Sequence, residues 1–368
     1  MRDALPSTAP LAWITWYFLS LGAMINSMRM QIPSELTQIG SQIYAWLPDC
    51  PGTWGMANCL LVASDSDALL VDTPYTSSLT RALTAAAHRV LPASATVSTV
   101  VNTHANGDHS YGNGLFPDAE IISTEASLGH LCAEPGPEQL HSMLDQCRPD
   151  DPFGRYLLAH FGRYDYRGLE QTPPTRTFNH RLELRTGSTD IELIEVGPAH
   201  TAGDLIVHLP DSGVVCAGDV VFIGDVPVHW AGPLEGVVKA CRQILDLNPR
   251  LVVPGHGPLV GADEVRAHMN YVAEIRDRIH NLHEAGLPME DAASVLLRDH
   301  RRADLGLSER LAVLTATEYR HLDQSSAPLN LVATLSTAVR LASDCIPTQV
   351  PDRAVLMAEF DASAARRK

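Results

Sequence analysis

The chain has 368 residues, is 45% hydrophobic and carries a formal charge of −16. That is enough to bury one large core or two to three domains, in a composition ordinary for soluble globular proteins. The acidic balance argues against a nucleic-acid partner, because a phosphate-binding groove needs clustered Lys and Arg. The basic runs, Arg301-Arg302 and Arg366-Arg367-Lys368, read as solvated ends.

The seven cysteines (Cys50, Cys59, Cys132, Cys147, Cys216, Cys241 and Cys345) are scattered and include no C-x-x-C pair. That argues against a disulfide framework or a zinc ribbon, and for reduced thiols in the cytoplasm. Leu11 to Ile25 is apolar but about five residues short of a membrane span, so no stable membrane insertion is expected. It has the length of a signal-peptide core, yet Arg2 is offset by Asp3 and no small-x-small cleavage site follows. A true start at Met28 or Met30 would remove it, and residues 1–34 read as a poorly ordered extension.

Strands are expected at Ile43 to Leu47, Ala57 to Val62 and Ala68 to Asp72, with the turn cluster Pro51-Gly52-Thr53-Trp54-Gly55 between the first two. Ser77 and Ser78 cap a helix running to about Leu91, with Leu79, Leu83, Ala87 and Val90 on one face. Strands follow at Val97 to Asn102 and Glu120 to Ser123, an order that argues for layered α/β architecture. Residues 127–174 interrupt the pattern with short helices broken by Pro135, Pro137, Pro149 and Pro152. They read equally as a lid or as a satellite patch. Strands resume at Arg181 to Leu184, Ile191 to Val196, Leu205 to Leu209, Val214 to Ala217 and Leu251 to Val253, with a helix over Glu235 to Leu247. From Asp263 to residue 345 the pattern is helical, with Gly286 closing one helix and Pro288 opening the next. Residues 346–368 form a tail, frayed over its last dozen residues.

Chemistry concentrates where the Val97 to Asn102 strand ends. His104, Asn106, Asp108 and His109 fall within six residues. At that spacing they cannot share one helix face or alternate on one strand, and they suit a tight loop. Three more motifs each follow a strand: His200 in Gly197 to Asp204, Asp219 in Ala217-Gly218-Asp219, and His256 in Pro254-Gly255-His256-Gly257. In this order, from about Gln42 to Gly261, they resemble the H-x-H-x-D-H signature and later metal motifs of the metallo-β-lactamase fold superfamily. Asn106 stands where the signature has its second histidine.

That resemblance implies a four-layer αββα sandwich over residues 35–262, with a helical lid insertion and a C-terminal helical extension. It implies two ion sites, one of His104, Asn106 and His200, the other of Asp108, His109 and His256, bridged by Asp219. Imidazole and carboxylate suit zinc, with iron or manganese as alternatives. The amide of Asn106 is a poorer donor than imidazole, so the second site is expected to bind tightly and the first weakly or not at all. Four protein ligands on zinc would make a closed site, so catalysis calls for an expanded shell, a six-coordinate ion or a second metal. A metal-activated water would attack a carbonyl, with His104 or Asp108 as base.

The Ala-Gly-Asp form resembles glyoxalase II and lactonases rather than the best-known class B β-lactamases, which have Cys or His there. The implied function is hydrolysis of an ester, thioester, lactone or amide of a small molecule. The alternatives are a mononuclear iron sulfur-oxygenase of the persulfide-dioxygenase type, and a binding or biosynthetic protein whose metal site is depleted. Trp54, Tyr111, His229 and Trp230 are candidate substrate-lining residues, with Asn113 beside them, and Asp72 is a candidate brace for the metal loop. Plain packing is the competing reading for each. His280 and His283 have ligand spacing on a helix but no carboxylate cluster in sequence.

Overall fold

The computed structural model describes residues 32–49, 52–133, 135–299, 302–325, 327, 329–341 and 349–365. The apolar run at Leu11 to Ile25, the alternative starts at Met28 and Met30, Cys50, Cys345 and the terminal basic run lie outside them. Among the described residues, no helix is long and apolar enough to cross a membrane.

Two sheets face each other. The first runs in order β1 (Thr37–Gly40), β2 (Ile43–Trp46), β3 (Cys59–Ala63), β4 (Asp67–Val71), β5 (Thr96–Val101), β6 (Glu120–Thr124) and β7 (Arg176–Phe178). It is antiparallel up to β4 and parallel beyond. The second has the order β12 (Leu251–His256), β11 (Val214–Phe222), β10 (Leu205–Leu209), β9 (Thr189–Glu195) and β8 (Arg181–Thr186), parallel only between β11 and β12.

The parallel strands need crossovers, and helices supply them. α1 (Ser77–Ala87) links β4 to β5, and α6 (Leu234–Asp246) links β11 to β12. Between the sheets lies an apolar layer that includes Leu60, Leu69, Val71, Val101, Ile122, Leu193, Val207 and Val253. After β6 comes α3 (Glu125–Leu131), and the outer face of the first sheet packs on α1, α4 (Pro137–Asp145) and α5 (Pro152–Phe161). The outer face of the second packs on α6, α7 (Ala262–Glu284), α8 (Met289–Asp299) and α9 (Arg310–Leu322). This is the αββα sandwich with added C-terminal helices.

The structure corrects several details. Pro137 and Pro152 open helices in their first turns, where a missing N–H costs nothing. Short strands β1 and β7, too brief to show a pattern, extend the first sheet. The end of the chain is not frayed throughout: after α10 (Leu331–Leu341), residues Arg353–Ala365 form α11. Its Arg353 is buried against Asp145, His141 and the carbonyl of Tyr164, and its Phe360 packs on Tyr164. Leu60, fully buried in the inner layer, tests that core. Leu60→Ala is expected to cost about 2–5 kcal/mol, read as a lowered urea midpoint at unchanged slope.

Candidate metal centre

Loops after β5 and β9, the last residue of β12 and, against the expected loop position, the interior of β11 at Asp219 bring the candidate ligands together. Directly after β4, Asp72 takes a left-handed backbone (φ 64) that Asp tolerates. Its Oδ1 accepts from the Thr103 N–H at 2.7 Å; its Oδ2 accepts from the Thr103 hydroxyl at 2.8 Å and from His109 Nδ1 at 2.8 Å. The loop after β5 therefore turns around a buried carboxylate and leads into α2 (Gly107–Ser110), which carries Asp108 and His109. Asp204 does the same for the His200 turn, accepting from the N–H groups of Ala199 and Thr201 and from the Thr201 hydroxyl. Burial pushes both the Asp72 and the Asp204 carboxyls up, against the donors that hold them.

Asp219 lies within β11, beside a register shift against β12 at Gly218. A bulge of this kind re-aims the next side chain. Gly218 has φ 50, and a Cβ there would meet Thr103 at 2.8 Å. On β12, a Cβ at Gly255 would lie 1.9 Å from Asp219 Oδ1. Gly255 makes room for the carboxylate and Gly218 for the Thr103 side chain.

The four imidazoles share one polarity. His109 donates from Nδ1 to Asp72, His200 to the Val228 carbonyl at 2.6 Å, and His256 to the Met56 carbonyl at 3.2 Å. The Thr103 hydroxyl donates to Asp72, so it accepts from His104 Nδ1 at 3.0 Å. With a proton on Nδ1, each ring turns its Nε2 inward, where a bound ion would meet a lone pair. Asp219 Oδ1 stands 3.1 Å from His109 Nε2 and 3.3 Å from His256 Nε2; Oδ2 stands 3.4 Å from His200 Nε2 and 3.9 Å from His104 Nε2. Asp108 Oδ2 is 3.4 Å from His256 Nε2 and 3.9 Å from His109 Nε2.

These contacts are close without being hydrogen bonds. His104 Nε2, His109 Nε2 and Asp219 Oδ1 are buried and unpartnered, although 3.1 Å separates the last two; they meet out of line. Lone pairs facing a carboxylate call for a cation. Two donor sets, His104/His200/Asp219 and Asp108/His109/His256, each fall within 4.8 Å of one another. Spacings of this size are close to the edges of a tetrahedron with metal–ligand bonds of about 2.0–2.3 Å. The residues present fit divalent metal.

The field says the same. Burial would lower the proton affinity of His109, yet the carboxylates of Asp219, Asp72 and Asp108 outweigh it and raise its pKa well above the ordinary value. Burial would raise Asp219, but His256, His109 and His200 hold it well below the usual carboxylate range. His104 is pushed well down, by burial first and then by His109.

Asn106 lies beside the first donor set, at His200. Its Oδ1 lies 2.7 Å from His200 Nε2. With His200 Nδ1 already donating to Val228, this contact needs a second proton on the ring or an amide turned to present its NH₂. Either arrangement occupies the nitrogen that would face an ion.

Of the candidate lining residues, Trp54 joins Phe222, Val228, Leu307 and Val313 in one cluster, with Phe161, Trp230 and Leu335 packed against it. The Trp54 ring lies 6.0 Å from Trp230 and 5.8 Å from Phe161, and Phe222 stacks on His256 at 5.2 Å. Tyr111 is buried among Tyr75 and Tyr166, its hydroxyl bonded to the Pro135 carbonyl at 2.7 Å. His229 is fully buried, 5.8 Å ring to ring from His200. Asn113 bonds Thr73, Asn102 and the Thr172 carbonyl, inside the scaffold of the metal loop. His280 and His283 pair singly with Glu318 and Asp323 and tie α7 to α9.

Sequence reasoning missed Arg310. It opens α9 with its guanidinium 4.0 Å over the Trp54 ring and 5.6 Å from that of Phe222. An isolated arginine far along the chain gives no signal of this.

Asp72→Asn keeps shape and the left-handed backbone but weakens the hold on His109 Nδ1–H. It is expected to lower zinc affinity about 10–100-fold, read by chelator competition, with little change in the circular dichroism spectrum.

A sequence profile described as the metallo-beta-lactamase superfamily matches residues 52–256, more than half of the chain. The chain is 26% identical over 209 residues to the 2,4-dinitroanisole O-demethylase subunit alpha of Nocardioides sp. (strain JS1661), covering 55% of this chain and 53% of that one. It is 27% identical over 182 residues to the acyl-coenzyme A thioesterase MBLAC2 of Gallus gallus, covering 47% of this chain and 62% of that one. The chain thus spans only about half to three fifths of these curated relatives. Among solved structures, a metallo-beta-lactamase from Pontibacter korlensis aligns at TM-score 0.46 and 18% identity, over 65% of this chain and 98% of that one. The chain belongs to the metallo-beta-lactamase superfamily.

Proposed function

We propose that the chain is a metal-dependent hydrolase of a small ester, thioester, lactone or amide. One ion is held tightly by Asp108, His109, His256 and Asp219, and a second more weakly by His104, His200 and Asp219. The observation that carries this reading is the division of Asp219, each oxygen turned to a different pair of imidazole Nε2 atoms. Zinc suits the donor set, with iron or manganese as alternatives.

When bound, such an ion polarises a carbonyl and acidifies water. The protein's own part is to orient and to move protons. Asp72, Val228 and Met56 fix the rings, so the Nε2 atoms need no reorganisation. Asp108, half-buried beside His256, is placed to hold the proton released as the acyl bond is attacked. His104 is a second acceptor wherever its Nε2 is free. The aromatic side, Trp54 with Trp230 and Phe161, offers an apolar wall for an acyl or aryl group. The thioesterase named among the relatives supports the acyl-thioester end of this range.

Metal analysis of the purified protein is expected to find about one tightly bound equivalent. Asn106→His is expected to add a second and to raise hydrolysis across a panel of esters and thioesters. Two tight equivalents in the unaltered protein would overturn the unequal sites, and no hydrolysis by the metal-loaded protein would overturn the activity. Separately, Trp54→Ala is expected to raise KM several-fold while changing kcat little, the pattern of lost ground-state binding.

A further inference from the structure

We infer that helix α9 is the outer support of His200, so that the C-terminal helices are part of the metal centre. The inference rests on the proposed reading of His200 as a ligand. Away from its inward-facing Nε2, which meets Asn106 and Asp219, the hydrogen bonds described for His200 run to residues 228–231. Its Nδ1 donates to the Val228 carbonyl, and its own carbonyl accepts from the N–H groups of Trp230 (2.8 Å) and Ala231 (3.0 Å). Apart from an isolated bridge at Asp225, residues 223–233 form no strand or helix. The main-chain groups of such a segment need partners from outside it.

α9 supplies them from one side. Arg310 donates to the Val226 carbonyl at 3.1 Å, Thr317 to that of His229 at 2.8 Å, and Arg320 to that of Ala231 at 2.9 Å. His321 Nε2 reaches the same Ala231 carbonyl at 2.5 Å, and Glu318 accepts from the Leu234 N–H at 2.8 Å. Residues 310, 317 and 320–321 recur at helical spacing and so share a face. Just before the helix, Gly306 exchanges hydrogen bonds with Val226 and Gly224. At Gly232, a Cβ would lie 2.8 Å from Thr317 Cγ2, so helix and segment touch at main-chain distance.

Every one of these side chains reads backbone. Sequence-independent anchoring of this kind fixes where the Val228 carbonyl stands, and that carbonyl sets the direction of His200 Nε2 toward Asp219. Thr317 and Arg320 are therefore positioning residues, acting on His200 through residues 228–231.

The test uses the full chain with Thr317→Val, Thr317→Ser and Arg320→Met. Thr315→Val is the control, because Thr315 is buried on the same helix and its hydroxyl bonds only the Leu311 carbonyl among the bonds described. Two readouts are taken: solvent exchange of the His200 Nδ1 proton by NMR, and zinc affinity against a chromophoric chelator. Thr317→Val and Arg320→Met are expected to speed the exchange at least about fivefold, the scale of one lost hydrogen bond. They are also expected to weaken the zinc equivalent held by His200 about 10–100-fold. Thr317→Ser is expected to restore both, and Thr315→Val to move neither at a comparable loss of Tm.

The inference is overturned if Thr317→Val leaves both readouts at wild-type values, or moves them no further than Thr315→Val does. Should Thr317→Val not fold, Arg320→Met carries the same two outcomes. A wild-type protein without hydrolytic activity would sink the functional reading while the exchange measurement still decides the role of α9.

Discussion

The arrangement depends on one buried carboxylate shared among four imidazoles. Asp219 cannot be paired with any single ring, because its two oxygens face different pairs. A buried charge is costly unless its partners compensate it fully. Here the partners can present lone pairs, and a cation would complete the compensation. Much of the local backbone follows from that demand: the bulge at Gly218, the bare Gly255, and the parallel pairing of β11 with β12 that sets His256 beside Asp219.

Around this centre, each imidazole is turned by a fixed acceptor behind it. Only one of the four acceptors, Asp72, is charged; the others are a hydroxyl and two main-chain carbonyls. A carbonyl is only as well placed as the chain that carries it. For Met56 the chain is pinned by Asn58, whose backbone N–H bonds Gly255 and whose side chain bonds Pro254 and Gly257. For Val228 the chain is irregular, and its fixity is borrowed from α9. The C-terminal helices and the sandwich are thus linked through a candidate metal ligand as well as through apolar packing.

The sandwich and the clustering of the candidate ligands were legible because both leave local marks. Val-rich runs with turn residues mark strands, and ligands at strand ends sit in short motifs with Gly and Pro. Asp72 was legible as a brace because it ends a strand beside the loop it holds. What escaped were contacts made across long separations. Arg310 under Trp54, the pairing of His280 and His283 with Glu318 and Asp323, and the anchoring of Arg353 on Asp145 join segments with no shared pattern. The frayed end was misjudged because α11 owes its order to two buried contacts, Arg353 and Phe360, rather than to a strong amphipathic repeat.

Asn106 is the point where motif and geometry have to be weighed together. As a motif residue it only weakens a ligand set. In the structure it also engages His200 Nε2, so an ion at that site must displace the contact before it can bind. Site one therefore starts with one fewer imidazole and with a second one engaged. Site two has no such competitor, since the Nε2 atoms of His109 and His256 face only the carboxylates of Asp108 and Asp219. The proposed inequality of the two sites rests on these two effects acting in the same direction, and an imidazole at position 106 would reverse both at once.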